Sequence, residues 1–479
     1  MIESRASAPS GFIKALGLGD VVLMNIVAVV GLRWIARGAR AGPASVTLWV
    51  LAWIAFFLPL AGAVAVLASR YPDQGGLYAW VRRAFGTGHG FVCGWCMWVN
   101  NLFYFPSVLL FGAANFAVVG GSSWQAMGAT RLYAVLFVLA GIWIAAAAHI
   151  VGLRQGKWLQ NAGNIGVWIP VGLLIGCGAF ALARFGSATP FTTTAMVPRG
   201  DALDTIGLWS AMCFAFSGFE ITSLLGQEIH RPERTIPLGV FIAGAITTIF
   251  YIAGSTSILV AVPVSSLKEL SGISDAVRLV TTRVGLTGLG AITGLLLALN
   301  ALAGTASWTG GAARVPFAAG VDAAMPAAFA RLHPRYRTPH VALIVQAVAS
   351  SAIFLASLFV TVAGRTTSIQ DAYDILVNLT ILIYFVPYLY LFAALVKLHP
   401  EGSAAAPHAV RMPGGLAGTW GLAVVGFGST AIALALTFVP PPGSNALTYE
   451  VNLIVQAAVM LGIGIGLYRW SRRAVPGGS

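Results

Sequence analysis

Two ionisable residues interrupt long apolar stretches of the sequence, and each stands beside a glycine. Arg33 follows Gly31 near the start of the chain, and Glu220 follows Gly218 near its middle. An ionisable side chain inside a membrane-spanning helix is costly, so its presence there indicates a functional site. An unwound stretch at the glycine would free backbone N–H and C=O groups, which are suited to bind the carboxylate and ammonium of a zwitterion. Two plainer interpretations stay open: Arg33 extends toward the membrane surface, and Glu220 pairs with a neighbour.

The chain around these residues has the composition of a membrane protein. Its 479 residues are 58% hydrophobic and 9% charged, with a mean hydropathy of +0.83, whereas a soluble protein carries roughly 25% charged residues. Apolar runs of about 20 residues cross a bilayer as helices, because hydrocarbon offers no partner for an unpaired backbone group. Twelve spans are predicted, near 18–37, 45–68, 90–117, 132–150, 160–183, 205–225, 238–261, 286–316, 341–362, 373–396, 415–438 and 450–469.

The distribution of charge predicts topology rather than a nucleic-acid partner. The net charge is +13, but the basic residues lie in short segments between the apolar runs. Of the 28 Lys and Arg residues, 18 fall on the side of both termini and 10 on the other side. This bias predicts cytoplasmic termini in the cell inner (plasma) membrane. One transmembrane domain is expected at 18–470, between cytoplasmic tails at 1–17 and 471–479.

Four cysteines all fall within apolar segments. Cys93 and Cys96 have the spacing of a redox motif, but they lie inside a long uncharged run. Small side chains three residues apart share one helix face, where they permit close packing. The pair is therefore interpreted as a packing feature.

Three loop motifs, each between predicted spans, resemble those of a known transporter superfamily. Residues 71–80, YPDQGGLYAW, match the pattern P-x-x-G-G-x-Y-x-W, and residues 228–237, EIHRPERTIP, match E-x-x-x-P-x-R-T-I-P. A third motif runs from Arg314 through Met325 to Pro339. On these motifs, which cover the chain from about 15 to 470, the sequence resembles a member of the amino acid–polyamine–organocation (APC) superfamily.

The resemblance implies an all-α membrane fold of the LeuT type, with two inverted repeats of five helices and two peripheral helices. Repeat one would occupy about 18–185, repeat two about 204–398, and the extra helices about 415–469. Spans 1, 2, 6 and 7 would form a bundle. The substrate would lie between the interrupted parts of spans 1 and 6, as expected for inverted-repeat transporters.

The resemblance also implies roles for individual residues. Phe214 stands where many relatives have an aromatic gate over the substrate, and Glu220 stands where some have a glutamate linked to proton coupling. Sodium is the alternative coupling ion, for which Ser307 and Thr309 offer oxygen ligands. The expected substrate-binding residues are Val30, Gly31, Leu32, Arg33, Phe214, Ala215, Phe216, Ser217, Gly218, Asn101 and Trp308.

One departure from the family pattern affects the expected substrate. Where the family has G-S-G in span 1, this chain has Gly31-Leu32-Arg33. The change weakens a carboxylate site made of backbone alone, but the guanidinium would bind a carboxylate bidentately. Substrates with an acidic group are therefore favoured over cations. Arg37 and Arg40, near the end of span 1, would attract anions electrostatically.

The sequence thus predicts a secondary active transporter, a permease or exchanger, that moves an amino acid or amino-acid-like substrate by alternating access, with Glu220 as the coupling residue. A polyamine or organic cation transporter of the same superfamily is the alternative, and it would need more acidic residues around the site. A channel would need a continuous polar pore. No enzyme activity, metal or cofactor is predicted, since no cluster of His, Cys, Asp or Glu stands at membrane depth. The expected partners are the substrate, a proton and the membrane lipid.

Overall fold

The computed structural model describes residues 16–71, 76–151, 153–198, 203–220, 222–223, 229–313, 325–359, 361–362, 365–366, 368–399, 410–440 and 446–473. Within these ranges the structure is almost entirely helical. Ten helices correspond to predicted spans 2–5 and 7–12, and they are long and apolar enough to cross a membrane. Their bounds are Ala44–Arg70, Thr87–Val119, Arg131–Val151, Leu153–Phe185, Pro232–Ala261, Leu289–Ala312, His340–Phe359, Ile369–Lys397, Gly415–Leu436 and Ala446–Arg473.

The two remaining spans are interrupted, as the sequence predicts. Span 1 consists of Leu18–Val29 and Leu32–Ala39, with two non-helical residues between them. Span 6 begins with the helix Leu203–Ala215 and continues in irregular backbone. The helical part of span 6 ends at Ala215, a few residues before the predicted interruption at Gly218 and Glu220, because the chain turns immediately after Ala215. Together the twelve spans make the predicted all-α membrane fold.

Shorter elements connect the spans, and the sequence analysis did not predict them. The helix Gly76–Phe85 precedes span 3, and Gly272–Thr282 lies between spans 7 and 8. The other short elements are the helices Gly121–Gly128 and Thr193–Met196, the 3-10 turns Val264–Ser266 and Ala327–Ala330, and the antiparallel two-residue strands Thr361–Val362 and Arg365–Thr366.

Helix packing places spans 1, 2, 6 and 7 together around the two interruptions. Span 7 packs along both span 1 and span 2, and span 6 packs on the second half of span 1 and on span 2. Span 5 packs on span 7, span 10 packs on spans 2, 3 and 6, and span 8 packs between spans 3 and 5, whereas span 11 packs on spans 6 and 10. Large apolar side chains such as Leu136, Ile249 and Val424 remain exposed on the outside. In a bilayer, lipid would cover these faces.

The two ends of the helices define two faces of the molecule. The near face is the end at which span 1 begins, and the far face is the end at which it finishes and turns into span 2. At the near face, Leu16 pairs with Ile229 in a parallel bridge, and the Leu16 carbonyl accepts a 2.9 Å hydrogen bond from the amide of His230. The beginning of span 1 is therefore tied to the loop that follows span 6.

Candidate functional site

The interruption of span 1 consists of Val30 and Gly31. Both residues have extended backbone, with φ/ψ of −67°/90° and −90°/104°. The helix Leu32–Ala39 starts directly after them and has no side-chain cap. Its first N–H groups, which have no partner within the helix, therefore give the interruption a positive potential.

The interruption of span 6 follows Ala215. The amide of Ser217 donates a 2.8 Å hydrogen bond to the Phe214 carbonyl, which closes a tight turn. Gly218 then adopts φ +105°, a backbone conformation that residues with a Cβ rarely reach. A Cβ placed on Gly218 would lie 3.5 Å from the Val29 side chain. The two interruptions are thus neighbours in the interior.

Tyr251 of span 7 joins the two interruptions through one hydroxyl group. The hydroxyl accepts a 3.3 Å hydrogen bond from the amide of Gly31. It also lies 3.0 Å from the carbonyl oxygens of both Val29 and Ala215, which are the ends of two half-helices. Sequence reasoning missed Tyr251, because a tyrosine in an apolar span has the same pattern as any buried aromatic residue.

Aromatic side chains cover this meeting point. The rings of Trp34 and Phe214 lie edge to face with centroids 5.3 Å apart. A Cβ on Gly31 would come within 2.5 Å of the Trp34 indole, so that ring rests directly on the span 1 interruption. Trp308 borders Gly218 from span 8. The predicted aromatic gate residue Phe214 therefore lies at the interruptions, with Trp34 as a partner that the sequence analysis did not single out.

Several other residues predicted to bind substrate or sodium pack or hydrogen-bond away from the meeting point of the interruptions. Phe216 is fully buried and packs against Trp49 and Tyr251, behind the interruptions. The Asn101 side chain donates 2.7 Å to the Met97 carbonyl of its own helix. The candidate sodium ligands behave similarly, since the hydroxyls of Ser307 and Thr309 donate to the carbonyls of Ala303 and Thr305 in their own helix.

Arg33 points into the protein rather than toward the membrane surface. Its side chain is buried, and Nη1 donates a 2.6 Å hydrogen bond to the Ser107 hydroxyl. The guanidinium carbon lies 4.2 Å from the ring centroid of Trp34 and 4.9 Å from that of Tyr104. Within the described part of the chain, Nη2 has no hydrogen-bond partner. A buried cation with a free N–H donor is suited to hold an anionic group.

Asn25 is a second buried polar residue of span 1, and the sequence analysis missed it. It lies one turn before the interruption and is 1% exposed. Neither atom of its side-chain amide has a hydrogen-bond partner among the described residues. Its signal in the sequence is a lone amide within the apolar stretch that follows Asp20 in this half-helix.

Glu220 is buried among hydroxyl groups. Tyr384 donates a 2.6 Å hydrogen bond to Oε1, and Tyr388 donates a 2.9 Å hydrogen bond to Oε2. The amide of Gly218 approaches Oε2 at 3.2 Å. No Lys, Arg or His of the described residues lies within ion-pair distance of this carboxyl group. The neighbours with which Glu220 pairs in these regions are thus the hydroxyl groups of two tyrosines.

A network at the far face, here called the far-face latch, consists of Arg37, Arg40, Glu269, Asp374 and Asn378. Arg37 Nη1 lies 2.8 Å from a Glu269 oxygen and 3.0 Å from an Asp374 oxygen, and Arg37 Nη2 donates to the Asn378 side chain. Arg40 pairs with the other Glu269 oxygen at 2.6 Å. Arg37 and Arg40 are thus neutralised by carboxylates, which contradicts their expected role as open anion attractors.

The electrostatics of the latch hold Glu269 in its ionised form. Burial alone would raise the pKa of the Glu269 carboxyl, but the guanidinium groups of Arg37 and Arg40 outweigh it, so its pKa lies below the ordinary value. The carboxylates of Glu269 and Asp374 also line a cleft of about 500 Å³ at the far face. The latch therefore forms part of the surface that separates this cleft from the interruptions.

The assembled site can recognise both charges of a zwitterion. The uncapped start of Leu32–Ala39 and the free donor of Arg33 attract a carboxylate, while the carbonyl ends at Val29 and Ala215 attract an ammonium group. No group of three or more His, Cys, Asp or Glu side chains in the described ranges is arranged to hold a metal ion.

Comparison with known proteins identifies the family. The amino acid permease family model matches residues 16–465. An uncharacterized transporter of Legionella pneumophila is 28% identical over 92% of this chain and 94% of its own length. Two Lactococcus lactis proteins are each 23% identical: a probable agmatine/putrescine antiporter, over 80% of both chains, and a glutamate/gamma-aminobutyrate antiporter, over 86% of this chain and 81% of its own. The chain therefore belongs to the amino acid permease family, a family of multi-pass membrane transporters.

Proposed function

We propose that this protein is a secondary transporter that carries an amino acid or amino-acid-like substrate between the interruptions of spans 1 and 6 by alternating access. The observation that carries this proposal is the shared contact at Tyr251, whose hydroxyl lies within hydrogen-bond distance of Gly31, Val29 and Ala215. Two interrupted helices meet there in the interior, and backbone groups that have no partner within their own helices point to one place. Such a meeting point at membrane depth is the usual position of a transport site.

The substrate would be oriented by helix ends of opposite sign. Its α-carboxylate would bind at the start of Leu32–Ala39, and its ammonium group would face the carbonyls of Val29 and Ala215. The rings of Trp34 and Phe214 would cover its apolar part and exclude water. Among the predicted binding residues this arrangement uses Leu32, Phe214 and Ala215, with Trp34 as an addition.

Arg33 supports an acidic substrate. Its unpaired Nη2 donor is buried beside the interruption, where a carboxylate would satisfy it and an organic cation would meet repulsion. Among the relatives, the glutamate/gamma-aminobutyrate antiporter has a name consistent with such a substrate, whereas the name of the agmatine/putrescine antiporter supports the polyamine alternative. The guanidinium in the interior favours the first over the second.

Glu220 is proposed as the proton-coupling residue. It is a buried carboxyl group whose described partners, Tyr384, Tyr388 and Gly218, carry no charge. Spans 6 and 10 both contribute to this cluster, so a movement of span 6 would change the donors around the carboxyl group. A carboxyl group whose solvation changes during the transport cycle is suited to bind and release a proton.

The orientation of the protein in the membrane is inferred from the unequal distribution of Lys and Arg between its two faces. The near face, which carries the loops rich in Lys and Arg, is proposed to face the cytoplasm of a cell whose inner (plasma) membrane holds the protein. The chain is proposed to form one domain of two inverted repeats, at about 18–185 and 204–398, with spans 11 and 12 as additions at about 415–469.

A thermal-shift screen of the detergent-solubilised protein tests the substrate class. The panel consists of neutral and acidic amino acids, dicarboxylates and polyamines. A ligand at 100 times its Kd stabilises the folded state by about 2.7 kcal/mol, which raises the melting temperature measurably. We expect the largest shift with an acidic amino acid.

The variant Arg33→Gln should abolish the shift by an acidic amino acid. Arg283→Gln is the matched control, because Arg283 is exposed and contacts Phe185 rather than the interruptions. A shift given by polyamines alone, and retained in Arg33→Gln, would overturn the acidic-substrate proposal in favour of the cation transporter.

A further inference from the structure

The backbone groups at the two interruptions need partners even when no substrate is bound. A buried N–H or C=O group without a hydrogen-bond partner is strongly disfavoured. A carrier that returns empty across the membrane must therefore replace the substrate's hydrogen bonds with its own. The same requirement does not apply to a carrier that always returns with substrate.

The hydroxyl of Tyr251 supplies such replacement bonds in this structure. It accepts from the Gly31 amide and donates its single proton to one of two carbonyls, Val29 or Ala215, both 3.0 Å away. These groups belong to the two half-helix ends that would otherwise face the charged groups of a substrate. The Tyr251 hydroxyl thus replaces one hydrogen-bond donor and one acceptor that a bound substrate would supply.

The surroundings of Tyr251 keep this hydroxyl in place. The residue is fully buried, and its ring stacks on Trp49 at a centroid distance of 4.5 Å. The Trp49 indole donates to the Ser255 hydroxyl at 3.1 Å, which in turn donates to the Ile35 carbonyl at 3.0 Å. Span 7 is thereby bonded to span 1 on both sides of the interruption, through Tyr251 to Val29 and through Ser255 to Ile35.

We propose that Tyr251 is a positioning residue that stands in for the substrate in the empty carrier, and so sets the ratio of net transport to exchange. This inference rests on the proposed function, in which the substrate binds at the same interruptions. With the hydroxyl present, the empty carrier reorients with its backbone groups paired. Without it, the empty carrier leaves them unpaired and reorients slowly, while the loaded carrier is little affected.

Transport by the variant Tyr251→Phe in proteoliposomes tests this inference. The probe is a radiolabelled mixture of the protein amino acids. Net uptake is measured into empty vesicles, and exchange into vesicles loaded with the same unlabelled mixture. We expect net uptake to fall at least tenfold, equivalent to about 1.4 kcal/mol in the barrier, while exchange stays within about twofold of the wild type.

Tyr133→Phe is the matched control. It removes the hydroxyl of a partly buried tyrosine, which donates a 2.8 Å hydrogen bond to the Ala113 carbonyl in a different part of the protein. The ratio of net uptake to exchange should not change in this variant. If Tyr251→Phe does not fold, Trp49→Phe weakens the support of the same ring and should lower the ratio in the same direction.

The outcomes separate the two proposals. If the ratio of net uptake to exchange in Tyr251→Phe stays at the wild-type value, the role of Tyr251 is overturned and the proposed transport site is unaffected. This holds whether net uptake and exchange fall together or neither falls. Absence of uptake by the wild-type protein in both modes overturns the proposed function, and the inference about Tyr251 falls with it. A selective loss of net uptake supports both.

Discussion

The far-face latch should hold the substrate site closed toward the far face, and the variant Glu269→Gln tests this directly. Glu269 accepts one hydrogen bond from Arg37 and one from Arg40, at 2.8 and 2.6 Å. Glutamine keeps the shape of the side chain but removes its charge. The amide has one acceptor oxygen, so it accepts from only one of the two arginines and turns its NH2 group toward the other; one charge-assisted hydrogen bond is therefore lost.

The structure sets the magnitude of the effect. A hydrogen bond to a charged group contributes about 1.5–3 kcal/mol, so the loss of one such bond costs about 2 kcal/mol. Asp374 still pairs with Arg37 at 3.0 Å, which limits the loss. An energy of about 2 kcal/mol shifts an equilibrium by roughly thirtyfold. The population open to the far face should rise by about that factor if it is small in the wild type.

A cysteine reporter measures this population. Ser107 binds Arg33, which precedes Arg37 by one helical turn, so a reagent that enters through the far-face cleft must pass the latch to reach position 107. Ser107→Cys is made in a protein whose four native cysteines are replaced by alanine. The rate of labelling by a membrane-impermeant maleimide should rise by roughly thirtyfold with Glu269→Gln.

Asp275→Asn is the control, since it breaks an exposed ion pair with Arg278 that lies beside the same cleft but outside the latch. Equal labelling rates in Glu269→Gln and Asp275→Asn would refute the latch. All labelling rates are compared at one pH, because the maleimide reacts with the thiolate and the thiolate fraction of a cysteine changes with pH.

Two further predictions concern the sixth span. Glu220→Gln should abolish the pH dependence of transport while leaving the fold intact, because the amide oxygen still accepts from Tyr384; transport assayed across a pH series would contradict this if the variant kept the wild-type profile. Gly218→Ala should lower the free energy of unfolding by about 1–3 kcal/mol, since φ +105° is strained for alanine. Gly176→Ala, in open space on span 5, is its control, and equal melting temperatures for the two variants would contradict the assigned strain.

The sequence predicted the membrane fold because its signals are local. A run of about 20 apolar residues has one stable structure in lipid, so the positions of most spans follow from composition alone. Glycine beside a charged residue marked both interruptions for the same reason. The interruption of span 6 was predicted at Gly218 and Glu220, but the helix already ends at Ala215, since apolar residues around Ser217 and Gly218 give little indication of a turn.

The partners at the site could not be predicted, because they come from distant parts of the chain. Tyr251 and Tyr388 are each one aromatic residue in an apolar helix, and only the packing of spans 1, 6, 7 and 10 shows what their hydroxyls contact. The latch posed the same difficulty. Arg37 and Glu269 are far apart in sequence, and each alone resembles a charge at the end of a span.

The short second half of span 1 is a helix that can rotate as one unit about the interruption. It is anchored at the interruption by Tyr251, and the near-face bridge between Leu16 and Ile229 holds the other half in place. Arg37 lies six residues beyond Gly31, which is roughly 9 Å along a helix. A swing of about 20° at the interruption would therefore displace the start of the Arg37 side chain by roughly 3 Å, enough to separate ion pairs that are now 2.8 and 3.0 Å long. A small rotation at two residues would thus open the far face without any span having to unfold.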